Sequence, residues 1–224
     1  MDLADELRSE TPPNEGDWLI ARRQTAGKGR HGREWFDGSG NFMGSTVVTL
    51  RDGDPSPPSL GFASAMAVAH TIDQFIASSV AIRTKWPNDV LLDGGKVSGI
   101  LLEMVGKQIV IGIGVNLAKA PNLPDRKTTA IADYVDAPEL EAFVETFTQS
   151  FSSWLNSWRI GGLELILRDF RYSCRYSEDT PIIVHDIDGS RLEGTFVQLE
   201  PEDGALRLRL ADGSERVIRA GDIS

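Results

Sequence analysis

The first residues able to do chemistry form a basic, glycine-rich segment from residue 24 to residue 35. It reads Gln-Thr-Ala-Gly-Lys-Gly-Arg-His-Gly-Arg-Glu-Trp. Its glycines let backbone amides approach an anion closely, and Lys28, Arg30 and Arg33 supply charge-assisted donors for phosphate or carboxylate. We therefore expect an anion-binding loop that is mobile when empty and becomes ordered around its ligand. A solvated basic turn is the alternative, whereas the patterns of a Walker loop and of a dinucleotide-binding fingerprint are absent.

A second group lies at the corner between two predicted strands. Residues 85 to 89 read Lys-Trp-Pro-Asn-Asp and combine a cation, an aromatic face, a fixed φ angle and two polar side chains, which is more than a turn requires. Just beyond them, Lys96 opens an apolar segment that reads Lys-Val-Ser-Gly-Ile-Leu-Leu-Glu. Two plainer interpretations remain open: residues 87 to 89 form only a turn, and the Lys96 side chain extends into solvent.

A third group is a strand with small residues on one face. Residues 111 to 116 read Ile-Gly-Ile-Gly-Val-Asn, so Gly112 and Gly114 share a face of the strand. A flat ligand could lie there against the backbone, and Asn116 could pair with the edge of a base. The alternative is that the two glycines only relieve crowding.

The elements that position these groups follow from the apolar patterns. We predict strands over residues 18–21, 42–50, 80–86, 90–92, 97–105 and 108–115, which together form a central sheet. Ser56 and the two prolines after it mark the start of one helix, and residues 136 to 138 open a second. The second helix carries aromatic residues at helical spacing, which we expect in the core, and gives way to a shorter helix after residues 161 and 162.

From about Ser173 the pattern changes to short alternating strands with Asp-Gly turns. That turn density predicts a small SH3-like β-barrel. As a whole the chain is predicted to have an α+β fold, with a mixed central β-sheet flanked by helices. We divide it into a catalytic domain over residues 1–172, with an apparently truncated N-terminal edge, and a C-terminal domain over residues 173–224.

Composition and charge exclude several classes of protein. The chain has 224 residues and a net charge of −10, which argues against non-specific binding to DNA or to anionic lipid over the whole surface. The sequence lacks a signal peptide and any apolar stretch long enough to span a membrane. The single cysteine, Cys174, cannot form a disulfide within the chain. We therefore expect a cytoplasmic protein.

Taken together, the three groups closely resemble the catalytic region of biotin protein ligases. The ligase pattern Gly-Arg/Lys-Gly-Arg-x-Gly-Arg-x-Trp is met over residues 27–35, Lys-Trp-Pro-Asn-Asp over residues 85–89, and Lys-x-x-Gly-Ile-Leu-x-Glu over residues 96–103. The resemblance covers roughly residues 1 to 172. It implies activation of biotin by ATP as biotinyl-5'-AMP, followed by transfer of biotin to a lysine of a carrier domain.

The resemblance also implies the role of each site residue. Lys96, Arg30 and Asp89 correspond to catalytic residues: Lys96 binds the biotin carboxylate, Arg30 covers the phosphates, and Asp89 steers or deprotonates the carrier lysine. The positions implied for biotin binding are Gln24, Gly27, Lys28, Arg30, Lys96, Gly112 and Gly114. Those implied for nucleotide binding are Arg30, Arg33, Trp35, Asn88 and Asn116. No metal ligand is implied.

ATP and biotin are the substrates implied by the resemblance, with Mg²⁺ accompanying ATP. The partner implied is a biotin carboxyl carrier protein domain of a carboxylase. We expect no DNA binding, because the helix-turn-helix module of some such ligases is absent, and strand edges could pair two copies of the chain. The Ser-Thr-Asn segment of the family is also missing, so either Met1 is not the natural start or biotin is held by fewer contacts. A lipoate protein ligase and a non-catalytic biotin- or nucleotide-binding protein are the alternatives.

Overall fold

The computed structural model describes residues 13–36, 38–124, 126–186 and 189–224. Its larger sheet is six-stranded, in the order β1-β2-β6-β5-β4-β3. These strands are β1 Trp18–Ile20, β2 Phe42–Thr49, β3 Ile82–Lys85, β4 Asp89–Leu92, β5 Gly95–Val105 and β6 Gln108–Val115. The predicted α+β class is confirmed, although every ladder described in this sheet is antiparallel rather than mixed.

Two helices pack against one face of the larger sheet. They are α1, Leu60–Asp73, and α2, Leu140–Ser173. Phe143, Phe147, Phe151 and Trp158 of α2 are buried as predicted, whereas Trp154 is only partly buried. Phe143 and Phe147 pack against Phe42 of β2. Gly162 interrupts α2 with φ 69° and ψ −174°, where the sequence predicts the break.

Alternation along β6 gives the sheet two different faces. Ile109, Ile111 and Ile113 are buried in the core beneath the helices. Gly112 and Gly114 therefore project to the opposite face, as the period of two in a strand requires. The candidate site lies on this second face, at the end of the sheet where the loop of residues 24–35 returns.

The chain ends in a second, five-stranded antiparallel sheet, which we call the C-terminal sheet. Its strands are β7 Pro181–His185, β8 Arg191–Leu199, β9 Leu206–Leu210, β10 Glu215–Ile218 and β11 Asp222–Ile223, in the order β10-β9-β8-β7-β11. Its buried residues join those of α1 and α2 in one hydrophobic cluster, and Trp86 Nε1 donates to the carbonyl of Gly204 at 3.1 Å. The division into domains at residues 172 and 173 stays a prediction.

Among the residues that the structure describes, no helix is both long and apolar enough to cross a membrane.

Candidate functional site

Residues 24–35, which we call the basic loop, fold back on themselves. Lys28 and Glu34 form an antiparallel bridge, and the amide of Gly29 donates to the carbonyl of Arg33 at 2.6 Å. A short 3-10 turn, Arg30–Gly32, closes the tip of the loop. The sequence suggests few contacts in this segment, whereas the structure supplies a set of backbone hydrogen bonds. The mobility of the empty loop stays a prediction.

The arginines of the basic loop reach the C-terminal sheet. Arg30 donates to the Asp222 carboxylate at 3.1 Å, to the carbonyl of Gly221 at 3.0 Å and to the Asn88 side-chain oxygen at 3.3 Å. Arg33 forms an ion pair with the other oxygen of Asp222. Burial lowers the pKa of the Arg30 guanidinium, and the negative charge of Asp222 opposes that shift. The two guanidiniums are therefore held side by side, a geometry suited to an anion.

Lys96 and Asp89 form an ion pair beside this pair of arginines. The Lys96 ammonium lies 2.7 Å from an Asp89 carboxylate oxygen, and both side chains are about one-fifth exposed. A bulge between Val90 and Leu91 shifts the register of β4 on β5, between the strand positions of the two charged residues. The structure does not support the interpretation in which Lys96 extends freely into solvent. It places a paired ammonium next to the predicted ligand face.

The indole of Trp35 lies against two glycines on neighbouring strands. Gly99 of β5 and Gly114 of β6 are direct partners, and we call the space above them the glycine slot. A Cβ at Gly114 would come within 2.5 Å of Trp35 Nε1, and one at Gly99 within 2.9 Å of Cζ3. Lys96 Nζ is 5.9 Å from the centroid of the indole, within the range of a cation–π contact. Only glycine at both strand positions leaves room for a planar group.

The base of the basic loop is closely packed around Gly27. A Cβ there would lie 2.7 Å from Gln24 Oε1 and 2.8 Å from the carbonyl oxygen of Trp35, so a larger residue does not fit. Gly112 is different, because its nearest neighbours would lie at ordinary contact distances of 3.8 to 3.9 Å. This face of β6 is therefore open at Gly112, whereas the indole of Trp35 covers it at Gly114.

Two predicted nucleotide-binding asparagines use their amides within the protein. Asn116 is 2% exposed, donates to the carbonyl of Thr129 at 3.1 Å and accepts from Asn41 at 3.4 Å. Asn88 donates to the carbonyl of Ile100 while it accepts from Arg30. In this arrangement Asn116 does not join the charged cluster, and its role toward a base stays a prediction. Asn88 contacts Arg30, and its role toward a nucleotide also stays a prediction.

Two features of the site escape sequence reasoning, and the first is Asp222, which lies far along the chain from the basic loop. Lys85 belongs to the Lys-Trp-Pro-Asn-Asp group, and the structure makes it the cross-strand partner of Asp89. Burial lowers the pKa of the Lys85 ammonium, with Asp89 opposing the shift. The second feature is formed by residues 120–124 and 126–128, which border a cavity of about 650 Å³; the carbonyl of Lys127 accepts a hydrogen bond from the amide of Lys96. No local pattern marks Asp222 or these residues, because only the fold brings them to the site.

A second cavity, of about 440 Å³, lies between α1, the turn after β3 and the C-terminal sheet. Arg30 and Asn88 line it on one side, and Gly204 and Arg219 on another. Within the ranges that the structure describes, no three His, Cys, Asp or Glu side chains gather in a way that could hold a metal ion.

Comparison with known protein families gives a match that covers about half of the chain. A sequence model described as the Biotin/lipoate A/B protein ligase family matches residues 1–116. These residues include the basic loop, Lys96 and both glycines of the glycine slot.

Two relatives are similar over a large part of the sequence. The biotin--[acetyl-CoA-carboxylase] ligase of Paracoccus denitrificans is 37% identical over 148 residues, which cover 61% of this chain and 62% of that ligase. The ligase of the same name from Mycobacterium tuberculosis is 35% identical over 146 residues, covering 63% of this chain and 54% of that one. The matches thus span just over half of each relative.

Among solved structures, the biotin protein ligase from Aquifex aeolicus in complex with biotin and ATP has a similar fold. The TM-score is 0.84 at 21% sequence identity, and the match covers 99% of this chain and 93% of that one. At this identity the likeness shows the fold alone.

Proposed function

Because this chain belongs to the biotin/lipoate A/B protein ligase family, we propose that it is a biotin–protein ligase. It would activate biotin with ATP to give biotinyl-5'-AMP and pyrophosphate, and then transfer biotin to a lysine of a carrier domain. The observation that carries the proposal is the position of Lys96: its ammonium lies 2.7 Å from Asp89 and 5.9 Å from the indole ring over the glycine slot. The names of the two similar ligases support the same activity.

The first half-reaction joins two anions. A carboxylate oxygen of biotin would attack the α-phosphorus of ATP, an O–P bond would form, and the bond to pyrophosphate would break. Negative charge builds up on the phosphoryl oxygens in the transition state, so positively charged groups held in place lower the barrier. Lys96 would bind the biotin carboxylate, and Arg30 with Lys28 and Arg33 would cover the phosphates and exclude water.

The second half-reaction needs a neutral amine. The carrier lysine would attack the carbonyl carbon of biotinyl-AMP, an amide bond would form, and AMP would leave. An ammonium is not a nucleophile, so its proton must be lost first. Asp89 is the acid group closest to Lys96 among the predicted site residues, and it would attract the incoming ammonium and accept this proton. Lys96 would meanwhile stay on the acyl-adenylate oxygens.

The remaining roles follow the same placement. We propose that Gln24 and Gly27 hold the ring end of biotin together with the backbone of Gly112 and Gly114. Trp35, Asn88 and Asn116 would lie toward the nucleotide. Mg²⁺ would enter with the triphosphate, where it neutralises phosphate charge, since the described residues offer it no ligand cluster. A biotin carboxyl carrier domain, such as that of acetyl-CoA carboxylase, would be the partner, and two copies of the chain could pair through strand edges.

Pyrophosphate release from ATP tests the proposal. We expect release with biotin and not with lipoate, followed by covalent labelling of a carrier domain at one lysine. Release with lipoate alone would make the chain a lipoate ligase, and release with neither substrate would favour a non-catalytic binding protein. If no pyrophosphate is released with either acid, calorimetry shows whether the chain still binds biotin.

A further inference from the structure

One cross-strand row of the larger sheet carries both the glycine slot and a charged residue that the proposed mechanism does not use. From β3 to β6, the direct partners in this row are Lys85, Asp89, Gly99 and Gly114. Side chains of direct partners lie on the same face of a sheet. The residues one position away, Thr84 and Val90, are fully buried on the other face. Lys85 and Asp89 therefore share the face that we assign to the ligands.

Asp89 depends on a partner that the proposed reaction takes away. Among the described residues, Lys96 is the one ion-pair partner of Asp89, and both side chains are about four-fifths buried. In the proposed first half-reaction, the Lys96 ammonium binds the carboxylate of biotin instead. A largely buried carboxylate without a nearby cation is unfavourable. The transfer step nevertheless needs Asp89 in its ionised form, because only a carboxylate can accept a proton from the carrier ammonium.

Lys85 is in position to replace Lys96 as this cation. Direct cross-strand partners have their Cβ atoms about 4.5 to 5.5 Å apart, a distance that a lysine side chain spans easily. Within the ranges that the structure describes, no carboxylate forms an ion pair with the Lys85 ammonium. Burial lowers the pKa of Lys85, and Asp89 is the charged group that opposes this shift most strongly. Pairing the two would therefore compensate two partly buried charges at once.

The remaining groups that face this pair do not take the same place. They are the cations Arg30 and Arg175, the anion Asp222 and the phenol of Tyr176, which is neutral because burial raises its pKa to about 12. The guanidinium of Arg30 would be bound to the phosphates. That of Arg175 donates to the carbonyl of Gly94 at 3.4 Å, in the turn at the other end of β4. Lys85 is therefore the cation that is left for the carboxylate.

We propose that Lys85 is a positioning residue for the transfer step, which takes over from Lys96 as the partner of Asp89 once biotin is bound. The inference rests on the proposed function. The proton moves from the carrier ammonium to Asp89, and Lys85 keeps its charge throughout. Its charge holds Asp89 ionised and oriented, and therefore able to accept that proton.

Transfer from synthetic biotinyl-AMP to a biotin carboxyl carrier domain, measured in a single turnover, isolates this step from adenylate formation. A carboxylate that has lost its counter-ion binds a proton more readily. We therefore expect Lys85→Met to slow transfer about tenfold at mildly acid pH and less at alkaline pH. Pyrophosphate release from ATP with biotin should stay within about threefold of the wild type, since Lys96 and the arginines are intact.

Two further variants control for a merely structural effect. Lys85→Arg keeps the positive charge, so we expect it to retain the pH profile of the wild type. Arg83→Met removes an exposed cation from the same strand, β3, and should change neither half-reaction. A wild-type pH profile in a folded Lys85→Met would overturn the inference.

A double-mutant cycle shows whether Lys85 acts through Asp89. If it does, adding Lys85→Met to Asp89→Asn changes the transfer rate by less than about twofold. The double variant contains no lone carboxylate at this position, so the comparison holds even if Lys85→Met alone folds poorly. A larger drop in the Asp89→Asn background would overturn the inference. Absence of transfer by the wild-type chain would instead overturn the proposed function, and the role of Lys85 with it.

Discussion

Lys96 is the residue on which the charge balance of the site depends. Its ammonium neutralises Asp89 in a position where both side chains are about four-fifths buried. If the Lys96 side chain extended into solvent, its removal would leave the free energy of unfolding almost unchanged. The ion pair changes this expectation, because a partly buried carboxylate without its partner is destabilising.

We predict that Lys96→Ala lowers the rate of pyrophosphate release at least about a hundredfold, as expected when a group that stabilises transition-state charge is removed. The free energy of unfolding should fall by about 1 to 3 kcal/mol, since Asp89 loses its partner. Lys107→Ala is the matched control, because Lys107 is exposed in the turn between β5 and β6. Normal pyrophosphate release by Lys96→Ala would remove the residue from the mechanism. Urea unfolding monitored by fluorescence gives the stability.

At the scale of elements, Asp222 links the basic loop to the last strand of the C-terminal sheet. It pairs with both Arg30 and Arg33, so the fold of the loop depends on a strand almost two hundred residues away. The same carboxylate holds the two guanidiniums that we assign to the phosphates. Binding of an anion there would compete with Asp222 for them.

We predict that Asp222→Asn speeds amide hydrogen exchange over residues 27–35 by up to about tenfold, because an ion-pair network of partly exposed groups contributes about 1 kcal/mol. Biotinyl-AMP should restore protection in both proteins by supplying a phosphate for the arginines. Asp212→Asn is the control, since Asp212 lies in an exposed turn of the C-terminal sheet and bonds to Ser214. Equal exchange in Asp222→Asn and wild type would show that the ion pairs of Asp222 do not order the basic loop.

The break in α2 gives a second prediction at this scale. Gly162 has φ 69° and ψ −174°, a backbone conformation that residues with a side chain rarely adopt. Gly162→Ala should therefore lower the free energy of unfolding by about 1 to 3 kcal/mol in urea titration. Gly61→Ala inside α1 is the control: its Cβ meets Leu102 at an ordinary 3.7 Å, and we expect a change below about 1 kcal/mol. If Gly162→Ala had the same free energy of unfolding as the wild type, the helix would be able to straighten through the break without loss of stability.

The elements were more predictable than their connections. The alternation of isoleucine and glycine in β6 correctly indicates one face toward the core and one open face, because that pattern is local. The aromatic spacing of α2 and its break at Gly162 are local signals of the same kind. Asp222 and residues 120–124 and 126–128 could not be predicted, since their contacts with the site arise only when distant segments fold together. A bulge lies between the strand positions of Lys96 and Asp89, and no residue type in the sequence predicts it.

At the scale of the whole molecule, Glu15 connects the segment that precedes β1 of the larger sheet with the long helix α2. It receives hydrogen bonds from Arg159 of α2 at 2.6 and 2.8 Å and from the amide of Thr49 at 2.9 Å. The hydrogen bond from Arg159 is the main cause that lowers the pKa of the Glu15 carboxyl below its usual range. Three elements of the fold thus meet at one carboxylate, and its ionisation contributes to their stability.

We predict that this contribution depends on pH with a definite sign. A carboxyl whose pKa is lower in the folded chain stabilises it above the unfolded pKa, about 4.3, and this stabilisation is lost as pH falls through the folded pKa. Glu15→Gln should therefore be less stable by about 1 to 3 kcal/mol at pH 7, and its stability should fall less steeply below pH of about 4.3. Glu145→Gln, on the exposed face of α2, should follow the wild-type curve. Urea titrations between neutral and acid pH provide the comparison, and parallel curves for Glu15→Gln and wild type would mean that the hydrogen bonds to Arg159 do not depend on the charge of Glu15.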